Sequence, residues 1–221
     1  MNLKRETLEL GNNIQHAVIW MHGLGADGHD FVPIVNELGL NQDSNVRFIF
    51  PHAPVRPVTL NNGHVMPAWY DIFSLDRSSN AKLDDILVTV GWISALIDEQ
   101  VELGIASENI ILAGFSQGGV MALHTALRYP ERLGGILALS TYFPFADETL
   151  KDMPKGYELM PVFAAHGLHD PVIPVASWHD YMPKLEAQGF PVVANSYPME
   201  HSVHPQEIAD MGAWFKDVLA S

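Results

Sequence analysis

The sequence predicts an α/β fold, a mostly parallel β-sheet with helices on both faces. Three observations carry this. Short, nearly continuous apolar runs recur at residues 16–21, 46–50, 109–113, 133–139 and 161–165. Runs of this kind suit strands buried on both faces. Helix-compatible stretches alternate with them, at residues 30–38, 83–103, 117–128, 175–188 and 205–219. Strict alternation implies βαβ units, and βαβ units imply a parallel sheet. There is also no repeat, low-complexity tract or linker, so the expectation is one domain over residues 1–221.

Taken in order, residues 3–10 mix charged and apolar side chains with partial alternation, as an edge strand would, and Gly11-Asn12-Asn13 reads as a turn. The run His16–Met21 ends in His22-Gly23-Leu24-Gly25-Ala26-Asp27-Gly28. A helix is expected next, with Phe31, Ile34, Val35 and Leu38 at helical spacing. Residues 51–80 read as one long irregular segment, rich in Pro, Gly and Asn and carrying Trp69-Tyr70-Asp71. A loop this long inside a compact domain is usually functional or disordered, and the aromatics argue against disorder. Residues 140–160 read as irregular again, with Tyr142, Phe143 and Phe145. The last strand is expected at 191–197. The last helix has Ile208, Met211, Phe215, Val218 and Leu219 on one face.

Composition narrows the function. A formal net charge of -14 disfavours nucleic acid and anionic lipid surfaces as partners. With no cysteine there is no disulfide, no thiolate metal site and no Cys nucleophile. That fits a reducing compartment. The polar N-terminus lacks the apolar core of a signal peptide, and no apolar run approaches the ~20 residues of a membrane span. The expectation is a cytoplasmic protein that does not span a membrane.

The chemistry centres on Gly114-Phe115-Ser116-Gln117-Gly118, set between the apolar run 109–113 and the helical stretch that begins at Gln117. Strand, Gly-x-Ser-x-Gly, helix is the context of a nucleophile elbow, as in α/β-hydrolases. Ser116 is the candidate nucleophile. The backbone N–H of Gln117, at a helix N-terminus, is a candidate oxyanion donor. A second donor should come from the loop after an early strand, and the N–H of Leu24 fits. A serine needs a base, and the base needs an orienting acid. In this plan the chain order is Ser, acid, His. Asp170 follows a strand and is braced by Pro171 and Pro174, whereas Asp147 and Asp152 lie in an irregular segment and Asp180 in a helix. His201 and His204 both follow the last strand. His201 is preferred, because His204 stands beside Pro205, at the start of the terminal helix.

These motifs resemble the carboxylesterase/acyl-protein thioesterase family of small α/β-hydrolases, and its bacterial carboxylesterase branch most. The likeness rests on residues 22–28, Gly114-Phe115-Ser116-Gln117-Gly118-Gly119, Gly167-Leu168-His169-Asp170-Pro171-Val172-Ile173-Pro174 and His201. It takes in Arg56-Pro57-Val58-Thr59, Met66-Pro67-Ala68-Trp69-Tyr70-Asp71, Ala138-Leu139-Ser140-Thr141-Tyr142 and Tyr197-Pro198-Met199. The resemblance implies a triad of Ser116, Asp170 and His201 with oxyanion N–H groups on Leu24 and Gln117. It also implies hydrolysis of short to medium acyl esters without metal or other cofactor, with lysophospholipids or acylated proteins as alternative substrates. Glu200 departs from the family pattern, which commonly has Gly before the histidine.

Trp69, Tyr70, Phe73, Tyr142 and Phe145 are the expected acyl-binding wall, with core packing under a loop as the competing role for each. Two other functions compete. One is a non-catalytic binding module on a hydrolase fold, against which the intact set of Ser, Asp, His and two oxyanion loops argues. The other is a metal site on Glu200, His201 and His204, whose spacing lacks the helical His-Glu-x-x-His order of zinc proteases. Exposed aromatic loops would permit a homodimer.

Overall fold

A computed structural model of the chain describes residues 3–74 and 81–220. Its seven-stranded sheet contains β1 (Arg5–Leu10), β2 (His16–Met21), β3 (Val46–Pro51), β6 (Ile110–Phe115), β7 (Gly135–Leu139), β8 (Val162–Gly167) and β9 (Val192–Tyr197), in the order β1-β3-β2-β6-β7-β8-β9. β4 (Val55–Val58) and β5 (His64–Pro67) form a separate antiparallel hairpin. Only β1 pairs antiparallel within the large sheet, at its edge. The other six strands are parallel. Among the described residues there are five α-helices: α1 (Leu83–Glu102), α2 (Gln117–Ala126), α3 (Ala146–Asp152), α4 (Ala176–Gln188) and α5 (Pro205–Leu219).

The period-2 geometry of a strand divides each apolar run between two cores. Ala17, Ile19 and Met21 of β2, with Ile110 and Leu112 of β6, face α1, α2 and α4 through Ile86, Ile93, Val120, Leu123, Tyr181 and Leu185. Val18 and Trp20, with Ile111 and Ala113, face Met211, Trp214 and Phe215 of α5 on the other side. Trp20 stacks on Phe31 at a ring separation of 5.2 Å. Phe215 is fully buried, and cutting it to Ala would cost about 3–5 kcal/mol in lost transfer energy and cavity.

The structure revises three expectations from sequence. Residues 30–38 form no α-helix; Val32–Glu37 is a 3-10 segment with Pro33 in its first turn. The helical spacing is nonetheless used, because Phe31, Val35 and Leu38 are buried against the second core. The segment 51–80 is not wholly irregular. Residues 75–80 of that segment lie outside the described residues, and the β4–β5 hairpin turns through Asn62 and Gly63, both at positive φ. Its strands are four residues long and interrupted by proline, and Val55 and Val65 face outward, so no period-2 apolar pattern marks them. Residues 140–160 contain α3, which buries only Ala146, Thr149 and Leu150 and is too short for a readable apolar stripe.

The sheet also fixes where chemistry can occur. β2 and β6 are neighbours, yet the chain passes from β2 outward to β3 before returning at β6. Strand order reverses there. In open α/β sheets the crevice beyond the strand carboxyl ends at such a switch point is where ligands bind. The loop after β2 carries Leu24, and the turn after β6 carries Ser116.

Candidate active site

Ser116 lies between the last residue of β6 and the first of α2 at φ 56°, ψ -119°. A non-glycine residue in this region costs of order 1–3 kcal/mol and persists only where its surroundings over-determine it. They do here. Ser116 N–H donates to Leu139 O (2.9 Å), and Ser116 O accepts from Thr141 Oγ1–H (2.7 Å). Gly114 lies against the Gly118 carbonyl, and Gly118 against the Met21 carbonyl, so closely that a Cβ on either would overlap backbone. The first turn of α2 is thereby packed on the ends of β6 and β2. Gln117, as the first helical residue, has no intrahelical partner for its N–H.

The side chain of Gln117 has a further task that the motif alone does not disclose. Its Oε1 accepts from Trp69 N–H (2.8 Å) and its Nε2 donates to Tyr70 O (2.7 Å). One side chain thus staples the residues 69–70 to the elbow. His22 does a similar job for the other loop. Its Nε2 accepts from Ala53 N–H (3.0 Å), so the ring proton sits on Nδ1, which donates to Gly23 O (2.7 Å). Burial first, and then the neighbouring His52, lowers the His22 pKa, although the Gly23 bond opposes this; the ring is held neutral. In the same loop, Gly25 N–H donates to Pro67 O and Ala26 N–H to Gly23 O. The loop's own bonds therefore use the amides after Leu24. Neither the His22 nor the Gln117 side-chain role could be assigned from sequence, although a His-Gly pair at a strand end and a Gln inside the elbow were visible signals.

Asp170 follows β8 and is almost fully buried. Its Oδ1 accepts from Val172 N–H and Ile173 N–H, both at 2.8 Å, and its Oδ2 accepts from His201 Nδ1–H at 2.6 Å. Burial alone would raise its pKa. The His201 hydrogen bond and charge, with the two backbone N–H groups, outweigh burial and hold the carboxyl below its ordinary value. A carboxylate fixed at Nδ1 leaves Nε2 of His201 available to accept a proton from a hydroxyl. Phe115 packs on the imidazole with ring centroids 4.7 Å apart. His204 does not share this arrangement: its Nδ1 accepts from Gln206 N–H, capping α5.

Ser116, His201, Leu24 and Gln117 line one cavity of about 280 Å³. Its apolar wall comes from Ala26, Leu60, Ile72, Phe115, Val172 and Ile173, with Tyr142 completing it. Of the expected wall residues, Tyr142 is the one on this cavity. Trp69 and Tyr70 are fully buried beneath it. Their polar tips are spent inside, Trp69 Nε1–H on His22 O and Tyr70 OH on Tyr142 OH, both at 2.8 Å. Burial, then the Tyr142 hydroxyl, raises the Tyr70 pKa well above its usual value. Phe73 packs under the Lys82 ammonium, 5.2 Å from its ring centre. Phe145 lines a different hollow with Asp147, Asp180 and Lys184.

A strained serine on a strand-to-helix turn, a buried Asp bonded to a half-buried His and backbone amides at the switch point of a mostly parallel sheet define an α/β-hydrolase of the serine type. The comparisons with known proteins agree. Residues 5–219 match the phospholipase/carboxylesterase family, and the chain belongs to that family. It is similar to acyl-protein thioesterase 1 of Cryptococcus neoformans, at 37% identity over 91% of this chain and 92% of the relative. It is similar to the Arabidopsis thaliana carboxylesterase SOBER1, at 32% identity over 90% and 89%. The crystal structure of SOBER1 superposes with a TM-score of 0.85, at 30% identity over 92% of this chain and 99% of that one. The protein is thus a serine hydrolase of the carboxylesterase type. No described helix is long and apolar enough to cross a membrane.

Proposed function

We propose that the protein hydrolyses short- to medium-chain carboxylic esters through an acyl-enzyme on Ser116. The observation that carries this is the shared cavity: Ser116, His201 and the amide-bearing residues Leu24 and Gln117 open onto one small apolar space. His201 takes the Ser116 proton as Oγ attacks the ester carbonyl. The oxyanion accepts from the N–H groups of Leu24 and Gln117. The C–O bond breaks, the alcohol leaves with the proton from His201, and water activated by the same imidazole cleaves the acyl-enzyme. Asp170 keeps the imidazole in its productive tautomer.

The acyl group lies against Leu60, Ile72, Val172 and Ile173. At about 280 Å³ the cavity sits near the lower bound of small-molecule sites, roughly 300–1,000 Å³, which favours short to medium acyl chains. The test is hydrolysis of p-nitrophenyl esters from acetate to palmitate by wild type and Ser116→Ala. We expect turnover that peaks at short or medium chains and vanishes in the variant. No hydrolysis of any ester, or equal rates in the two proteins, would overturn the reading.

A second reading, acyl-protein thioesterase, draws on the 37% identical relative of that name. A palmitoyl thioester peptide processed faster than the short oxyesters would favour it. Lysophospholipid is a third acyl donor, testable in the same series. The absence of cysteine fits a cytoplasmic setting. A homodimer is a separate proposal that sedimentation would decide.

A further inference from the structure

Away from the cavity, at the outer edge of the sheet, Glu6 of β1, His29 and His52 bring three metal-ligating atoms within 4.8 Å of one another. We propose that these three side chains bind a divalent transition-metal ion of the Zn²⁺ type, and that this ion competes with a hydrogen bond holding the loop that carries Leu24.

The geometry supports three-fold ligation. Glu6 Oε1 is 3.2 Å from His52 Nε2 and 3.3 Å from His29 Nε2. Zinc–ligand bonds of about 2.0–2.1 Å place tetrahedral ligand atoms roughly 3.3–3.4 Å apart. Two edges of that tetrahedron are therefore already set. His29 is oriented as metal-bound histidines are, with its second nitrogen on a carboxylate. Asp27 Oδ1 accepts from His29 Nδ1–H at 3.0 Å and from the His29 backbone N–H at 2.8 Å. With the ring proton on Nδ1, the Nε2 lone pair faces the Glu6 carboxylate. Two acceptors at 3.3 Å repel unless a cation, a second proton or a metal ion, lies between them. A His₂-carboxylate set suits zinc, with a fourth position left for water.

His52 connects the site to the loop. Its Nδ1 accepts from Gly28 N–H at 3.1 Å, which leaves the ring proton on Nε2, toward Glu6. A metal ion on Nε2 moves that proton to Nδ1, where it opposes the Gly28 N–H. Ligation thus breaks the bond that closes the loop 23–28 at its far end, while Gly25 N–H to Pro67 O holds the near side.

The experiment is calorimetric titration of Zn²⁺ into the full chain at neutral pH, and it needs no turnover. We expect one-site binding in wild type. His29→Ala should bind at least about 10-fold more weakly, and Asp27→Asn, by loss of the outer carboxylate, about 10–100-fold more weakly. His64→Ala, at an exposed position on β5, serves as a control and should match wild type. Thermal melting is a second readout: Zn²⁺ should raise the Tm of wild type and not of His29→Ala. No binding in wild type, or unchanged affinity in His29→Ala, would overturn the site. Amide exchange at Gly28 should accelerate when Zn²⁺ is bound, and slower exchange would overturn the coupling.

Discussion

The floor and the wall of the cavity are built by different means. The floor (Ser116, Asp170 and His201) stands at the ends of parallel strands, and short hydrogen bonds fix each of its parts, the Asp170 carboxylate holding His201. Leu139 O and Thr141 hold Ser116, and two consecutive N–H groups hold Asp170. The wall is assembled from side chains far apart in sequence, Leu60, Ile72, Tyr142 and Val172 among them. Leu60 lies in the turn of the short hairpin β4–β5, whose Val55 and Val65 are exposed, and Ile72 follows it. The floor depends on strand ends and leaves little freedom, whereas the wall depends on non-local packing that a substitution can reshape. Chemistry should therefore be lost all at once at the floor, and specificity should shift by degrees at the wall.

The strongest break of the floor is Ser116→Ala. Loss of the nucleophile should lower kcat by on the order of 10⁶ toward any ester, with melting behaviour preserved. Asp170→Asn should follow, costing on the order of 10⁴ in kcat through the wrong His201 tautomer. A loss of only a few-fold would show that the Asp–His bond does not orient the base.

A third test uses pH under the His201 loop. Glu207 of α5 is fully buried; its Oε2 accepts from His204 N–H, and its Oε1 has no partner among the described residues. Burial first, with Asp210 adding to it and the His204 bond opposing, pushes its pKa up to about 7. A carboxyl whose folded value is raised stabilises the fold while protonated and loses that contribution as pH rises through the folded value. Glu207→Gln should therefore gain stability relative to wild type between about pH 5 and about pH 8, by up to about 3 kcal/mol. Urea unfolding at the two pH values measures it, and a difference that does not change with pH would contradict the burial argument.

The smallest effect belongs to the wall. Ile72→Trp should leave acetate turnover within a few-fold and cut turnover of longer acyl esters, at roughly 1–3 kcal/mol per excluded methylene. A uniform loss across all chain lengths would mean that Ile72 supports the floor instead.

This contrast also explains what could be read from sequence. The strands flanking Ser116 and Asp170 were legible because strands buried on both faces are apolar throughout, and Gly114 and Gly118 stand where only glycine fits. Preference for His201 over His204 rested on loop position, and the two residues do take different partners, Asp170 and Gln206 N–H. The wall was legible only at Tyr142. Aromatic residues stand out in a sequence, but Trp69 and Tyr70 turn inward to spend their polar tips on His22 O and Tyr142 OH. The residues that do reach the cavity, such as Leu60 and Ile173, carry no local signature. The 30–38 segment kept its helical spacing although it forms only the six-residue 3-10 segment Val32–Glu37.

The most direct test of the central claim is covalent capture of the nucleophile. After reaction with a fluorophosphonate, peptide mass spectrometry should find one adduct, on Ser116, and His201→Ala should form it far more slowly. No adduct, or an adduct on another serine with Ser116 unmodified, would contradict the account.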